Sequence, residues 1–349
     1  MRQSAESSRA AGVFCVAVTL LSWSTVLLFL RALHDDIDGW TANGWRYGMC
    51  ALGLAPFLIR RLWRREVPIR ILKAAIVPAL INTLGQSCFG FAVYYIEPGL
   101  AGFLLRVAVI SATIGAFVLF ADERALLKSG LFWGGFLLVI FGSIGTVLFG
   151  VNPIVGATAT GVLLGTTAGA LFGLYGVSVR YYMRGIPPVA SFTTIAVYTA
   201  SAVVAMMLVF ADKRGAAVFD LSPLLATYLV VSAILGIAVG HIFYYKSIER
   251  LGVAITGSIV QLAPFLGAAV SMVIFDEPLT FLQWVCGFVM LGGGWLLLRA
   301  ERSRPRTEER RGFPVELEDV GDPCATVALE GRDDTRQVAC GALSSDGSL

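Results

Sequence analysis

The chain has 349 residues, of which 56% are hydrophobic and only 15% charged, with a mean hydropathy of +0.75. Soluble domains carry about 45–50% apolar and about 25% charged residues, so this composition excludes a water-solvated fold and makes lipid the solvent. The net charge of +3 is informative only through where its charges sit, and six cysteines without CxxC spacing suggest neither a disulfide framework nor a zinc site.

Residues 1–11 precede the first apolar run, 12–31, which is about as long as a membrane span and has no small-residue cleavage site, so it reads as a helix rather than a signal peptide. Cutting the rest at charged or Pro/Gly-marked breaks gives further segments at 40–60, 72–94, 98–120, 130–150, 157–182, 188–211, 223–248, 252–275 and 280–299. The breaks are short: Glu97-Pro98, Val151-Asn152-Pro153 and Asp276-Glu277-Pro278. The runs are nearly uniform in Leu, Val, Ile, Ala and Phe and lack alternating polarity, which favours helices over a barrel. The expected fold class is an all-α membrane protein of ten transmembrane helices. From about Ala300 the composition turns to Arg, Glu, Asp, Ser, Thr and Gly without apolar period, so residues 300–349 are expected to form a disordered cytoplasmic tail.

Basic residues set the orientation, because loops rich in Lys and Arg stay cytoplasmic. With the amino terminus inside, twenty of them fall on the cytoplasmic side, including Arg60, Arg61, Arg64, Arg65, Arg70, Lys73, Arg124, Lys128 and the run from Arg299 to Arg311. The opposite side receives Arg31, Lys213 and Arg214. Both termini are therefore expected in the cytoplasm, and the cell inner membrane is the expected location. The run Arg299–Arg311 suits a stop-transfer role, with anionic membrane lipid as a second reading.

Sliding the second half over the first aligns Gly12-Val13 with Gly161-Val162, Trp23 with Phe172 and Arg31 with Arg180 at an offset of 149. Asp122-Glu123 aligns with Asp276-Glu277 at 154, and Gly135 and Gly142 with Gly287 and Gly294 at 152. The expected organisation is thus a five-helix repeat over 12–150 and another over 151–299. Five is odd, so the second copy enters from the opposite side and the repeats are inverted, a recurrent device of secondary transporters.

The run from Gly240 to Leu298 carries an aromatic-rich helix end followed by Leu251-Gly252, a mid-helix Pro264, the acidic turn at Glu277 and a last helix with Gly287 and Gly293. In these features it resembles the second repeat of the EamA-type drug/metabolite transporter superfamily. The first half resembles the family through Trp23, Arg46 and the Glu123 turn, and departs from it at Ile110, where the pattern has a proline, and in having Arg106 nearby. The resemblance spans 12–299 and implies a ten-helix transporter whose turn acids, Glu123 and Glu277, cap the helices that follow them.

Within the spans, Gly161, Gly165, Gly169 and Gly173 recur at steps of four and give helix six a smooth groove, read either as tight static packing or as a sliding surface between repeats. A guanidinium at mid-membrane depth costs about 2.5 kcal/mol or more, so each such group calls for a partner. Arg46 lies near the outer end of helix two and reads equally as snorkelling or as lining a cavity. Arg106 lies roughly 12 Å from the outer end of helix four at 1.5 Å per residue and faces either an aqueous cavity or a structural partner such as Glu97. Asn82 and Gln86 share a face of helix three, and Gln261 and His241 lie on helices nine and eight. With Trp23 and Tyr175 as aromatic walls, Arg106, Arg46, Asn82, Gln86, Gln261 and His241 form the candidate substrate-binding set, each alone reading also as interhelical packing.

The expected function is a secondary transporter, an exporter of a small metabolite of anionic or zwitterionic character that works by alternating access. The alternative is a non-transporting scaffold or sensor on the same fold. An intramembrane enzyme would call for a nucleophile and base or a metal cluster, and the sequence has no GxSG serine, HExxH or paired membrane aspartates; a channel would call for an oligomeric pore ring or filter motif, whereas the internal pseudo-symmetry already supplies a path within one chain. No Walker A motif is present, so ATP does not drive the process directly. No cofactor, no metal and no nucleic acid is expected, the partners being a small-molecule substrate and membrane lipid, with the chain a monomer or homodimer.

Overall fold

A computed structural model describes residues 2–33, 35–92, 95–96, 104–149, 158–275 and 279–303. Glu97, the breaks at 151–153 and 276–278 with Glu277, and the tail beyond 303 lie outside them. Every regular element among the described residues is helical: α1 Arg2–Leu33, α2 Gly39–Trp63, α3 Ile71–Ala92, α4 Val107–Leu119, α5 Gly130–Leu148, α6 Ala159–Tyr182, α7 Pro188–Phe210, α8 Pro223–Leu251, α9 Val253–Ile274 and α10 Phe281–Arg302.

The helix starts follow the sequence chemistry. Asp38 accepts from the amides of Trp40 and Thr41 at 2.8 and 2.9 Å, Thr158 from Gly161 and Ser222 from Leu225, each satisfying a donor that lacks an intrahelical partner. Pro188 and Pro223 occupy first-turn positions, where the missing N–H costs nothing. Thr280 and Gln283 cap each other reciprocally at the start of α10. Gly252, at φ 88°, supplies the left-handed residue that separates α8 from α9.

Seven of these helices, α1, α3 and α6 to α10, are long and apolar enough to cross a membrane. The 25-residue α2 carries Arg46, Arg60 and Arg61, and α4 and α5 are shorter apolar helices. Large apolar side chains such as Leu52, Val118, Leu163, Val209, Val273 and Phe288 point outward on most of these helices, an arrangement suited to lipid. The buried core takes residues from both repeats, among them Tyr47, Phe132, Tyr175, Phe192, Ile255 and Met290.

Packing relates the halves in a regular way. Helix α3 packs on α6 as α8 packs on α1, and α4 packs on α6 as α9 packs on α1. Helices that correspond between the repeats also meet: α2 with α7, α4 with α9 and α5 with α10. Within two of those pairs the chains run antiparallel. A Cβ on Gly44 would meet Met207 and one on Gly48 would meet Val204, while Gly135 faces Gly293 and Gly142 faces Met290.

In this conformation the glycine stripe of α6 is closely packed. Gly161 abuts Ile96 and Tyr95, Gly165 and Gly169 abut Leu104 and Leu105, and Gly173 lies against Ser111 and the carbonyl of Ala108. Small residues let α4 run parallel to α6 at backbone contact without a hydrophobic driving force.

Candidate functional site

Among the described residues, two polar groups take in the candidate site residues read from the sequence. The larger begins in α8, where Ala233–Val239 is wound as a π-helix. Wider winding displaces backbone carbonyls from their usual partners and offers them to side chains, as happens often at functional sites. The carbonyl of Gly236 accepts from Trp23 Nε1 and from His241 Nδ1, both at 3.1 Å, and His241 Nδ1 is also 3.0 Å from the carbonyl of Ile237. Both acceptors are carbonyls, so Nδ1 carries a proton.

Aromatic rings enclose that imidazole. Phe192 stacks on it with centroids 5.3 Å apart, Trp23 meets it edge-on at 5.3 Å, and Tyr175 lies at 6.4 Å. The Tyr175 and Tyr245 hydroxyls are hydrogen bonded, and Tyr244 packs on Trp23. Gly236 and Gly240 make room for this cluster: a Cβ on Gly236 would fall 2.7 Å from Arg46 Nη2, and one on Gly240 would strike the Trp23 indole nitrogen.

Arg46 is 6% exposed, so the snorkelling reading of this residue is corrected: its side chain turns inward. Its Nη2 reaches the carbonyl of Ser232 at 3.4 Å, a long bond, and its buried Nε has no partner. Next to it in the chain, Tyr47 presents a hydroxyl that accepts from Asn82 Nδ2 at 3.3 Å and Gln86 Nε2 at 3.2 Å. Asn82 also reaches Thr199, and Gln86 accepts from Asn43 at 2.9 Å. Asn82 and Gln86 thus share a face as their spacing predicts, and converge on a residue that the sequence reading did not single out.

The second group is a pair. Arg106 stands at the N-cap of α4, where the sequence suggested the interior of a longer helix, and donates from Nη1 to Gln261 Oε1 at 2.8 Å. Its Nε is buried without a partner. Gln261 lies in a short 3-10 segment inside α9. Among the described residues no hydrogen bond links this pair to the Arg46 group, and no carboxylate pairs with either arginine. Glu97, the structural partner considered for Arg106, lies outside the described residues.

The sequence reading missed Tyr47, Phe192, Tyr244, Tyr245, Ser232 and Thr199. Isolated polar or aromatic residues in apolar runs carry no local signal, and only the meeting of repeats brings them together. Glu123 carries a correction. It is fully buried, but instead of capping the helix that follows it, it accepts from the amides of Val253 and Ala254 at the start of α9.

The family model for the EamA-like transporter family matches residues 10–149 and again 159–299, in two copies. No curated protein sequence matches the chain. Among solved structures, one described only as "Crystal structure of protein" is similar at a TM-score of 0.67 and 13% identity, covering 84% of this chain and 99% of its own, a likeness of fold alone. Two matched copies that take in nearly all the described helices make this chain a member of the EamA-like transporter family.

Proposed function

We propose that the protein is a secondary transporter of ten spans, built as two inverted five-helix repeats, that moves a small anionic or zwitterionic solute by alternating access. Export across the cell inner membrane, with both termini cytoplasmic, is the direction proposed. The observation that carries the solute class is the pair of guanidiniums, Arg46 and Arg106, each with a buried Nε lacking a partner and neither compensated by a described carboxylate. A buried positive charge without a counter-ion is costly, and a carboxylate or phosphate that offers two oxygens to the planar fork removes that cost. Antiparallel packing of corresponding helices supports the inverted arrangement, in which a site between repeats meets either side in turn.

The test uses purified protein in liposomes, screened first for ligand-induced thermal stabilisation against a metabolite library and then for saturable flux. Arg106→Lys is expected to retain folding and weaken binding, and Arg106→Leu to abolish binding while keeping or raising the melting temperature. The bond to Gln261 favours a second reading, in which Arg106 is structural. That reading expects Arg106→Leu to lower the melting temperature and leave flux unchanged.

A further inference from the structure

At one end of the helices, three elements from both repeats are tied through a single carboxylate. Glu123, in the turn after α4, accepts from Val253 N at 2.8 Å through one oxygen and from Ala254 N at 2.9 Å through the other. Arg180, near the end of α6, is hydrogen bonded to Glu123, pairs with Asp122 at 2.7 Å and lies over the Phe120 ring with its guanidinium carbon 4.2 Å from the centroid. Around this knot the packing is closed: Leu126, Leu251, Val253, Ala254 and Ile255 are all buried.

The chemistry of the knot differs from that of the seams elsewhere. Helices α5 and α10 meet mainly through glycine and apolar contacts, which have no second partner once separated, and the bond from Gln283 to the Thr146 carbonyl at 2.9 Å is neutral. The groups around Glu123 are ionic or are backbone donors, and they lie beside the basic turns holding Arg124 and Lys128. Dry, such bonds are strong, because charge-assisted hydrogen bonds gain in low dielectric. Once water enters, every one of these groups finds a replacement partner. A contact that is strong when closed and solvated when open suits a surface that must part and re-form.

We propose that Glu123, Arg180 and the amino-terminal amides of α9 form a latch that holds the basic face of the protein shut in this conformation, and that the latch must part for a solute to cross that face. The proposal rests on the transporter reading, but its test is read without any solute. Spin labels on the exposed Lys128 and Glu249 of the full chain in lipid nanodiscs report the separation of the two sides of the latch. The unsubstituted protein is expected to give one dominant short distance.

Glu123→Ala is expected to raise the population of a longer distance by about tenfold or more, since each lost hydrogen bond to a charged group shifts a two-state balance by roughly that factor. Glu123→Gln, which keeps an acceptor for one amide, is expected to give a smaller shift in the same direction. A folded Glu123→Ala protein with unchanged distances overturns the latch. If Glu123→Ala does not fold, Arg180→Gln is read in the same way, and failure of both to fold marks the contact as a fixed staple and also overturns it. Distances that shift in a protein moving no solute keep the latch and remove the transporter reading, whereas unchanged distances with intact flux do the reverse.

Discussion

Trp23 and His241, from different repeats, donate to one carbonyl oxygen, that of Gly236, each at 3.1 Å. The arrangement needs glycine at that position, because a Cβ there would lie 2.5 Å from Val26 and 2.7 Å from Arg46. Gly236→Ala is therefore expected to lower stability by about 1–3 kcal/mol through overpacking, and Trp23→Phe by about 1 kcal/mol through loss of one hydrogen bond. Thermal unfolding in detergent, followed by size-exclusion recovery, measures both. Equal melting temperatures for Gly236→Ala and the unsubstituted protein would remove the close approach of Arg46 from the description.

Tyr47 holds Asn82 and Gln86 through one hydroxyl. Removing it in Tyr47→Phe is expected to cost about 1 kcal/mol, in line with interhelical hydrogen bonds in membranes. Because the bond is shared, Tyr47→Phe combined with Asn82→Ala is expected to cost less than the two singly. A double-mutant cycle on thermal stability checks this, and strict additivity would mean that the two side chains do not interact.

Much of the fold was legible in the sequence, because helix ends are local chemistry: Asp38, Pro188, Pro223 and the Thr280–Gln283 box announce themselves within a few residues. The pairing of Asn82 with Gln86 was legible for the same reason, being a matter of helical spacing. The inward turn of Arg46, the π-winding at Gly236 and the reach of Glu123 to Val253 were not. Each depends on a partner more than one hundred residues away, and no local pattern encodes which helix of the other repeat arrives there.

The glycines of α6 and α10 give a graded test. Gly173 lies against Ser111 and the Ala108 carbonyl, so Gly173→Ala is expected to push α4 from α6 and to lower expression and melting temperature markedly. Gly292 has open space around its Cα, and Gly292→Ala is expected to be neutral or slightly stabilising, since alanine is the better helix former by about 1 kcal/mol. Comparing recovery of the two variants after heating settles the matter, and a neutral Gly173→Ala would contradict the close packing of α4 on α6.

Orientation is tested in a cysteine-free background with single cysteines at Arg65 and Arg214, both exposed and at opposite ends of the helices. A membrane-impermeant thiol reagent is expected to reach position 214 from outside intact cells and position 65 only after the cytoplasmic side is opened. Labelling of both from one side would invalidate the span order.

The seam between α5 and α10 has a consequence for the protein's two halves. Gly135 and Gly293 are reciprocal, each approaching the other's carbonyl so closely that an added Cβ would lie 2.7 Å from it. Around that point the two helices differ: α5 supplies hollows at Gly142 and Gly145 that Met290 and Cys286 of α10 fill, while Leu138 and Val139 of α5 close on Gly293. Two copies of α5 would face each other with hollows unfilled, and two copies of α10 would collide. Whatever symmetry the halves once had, they are now lock and key, so fragments divided near residue 155 and made together should assemble as a heterodimer, and neither should pair with itself.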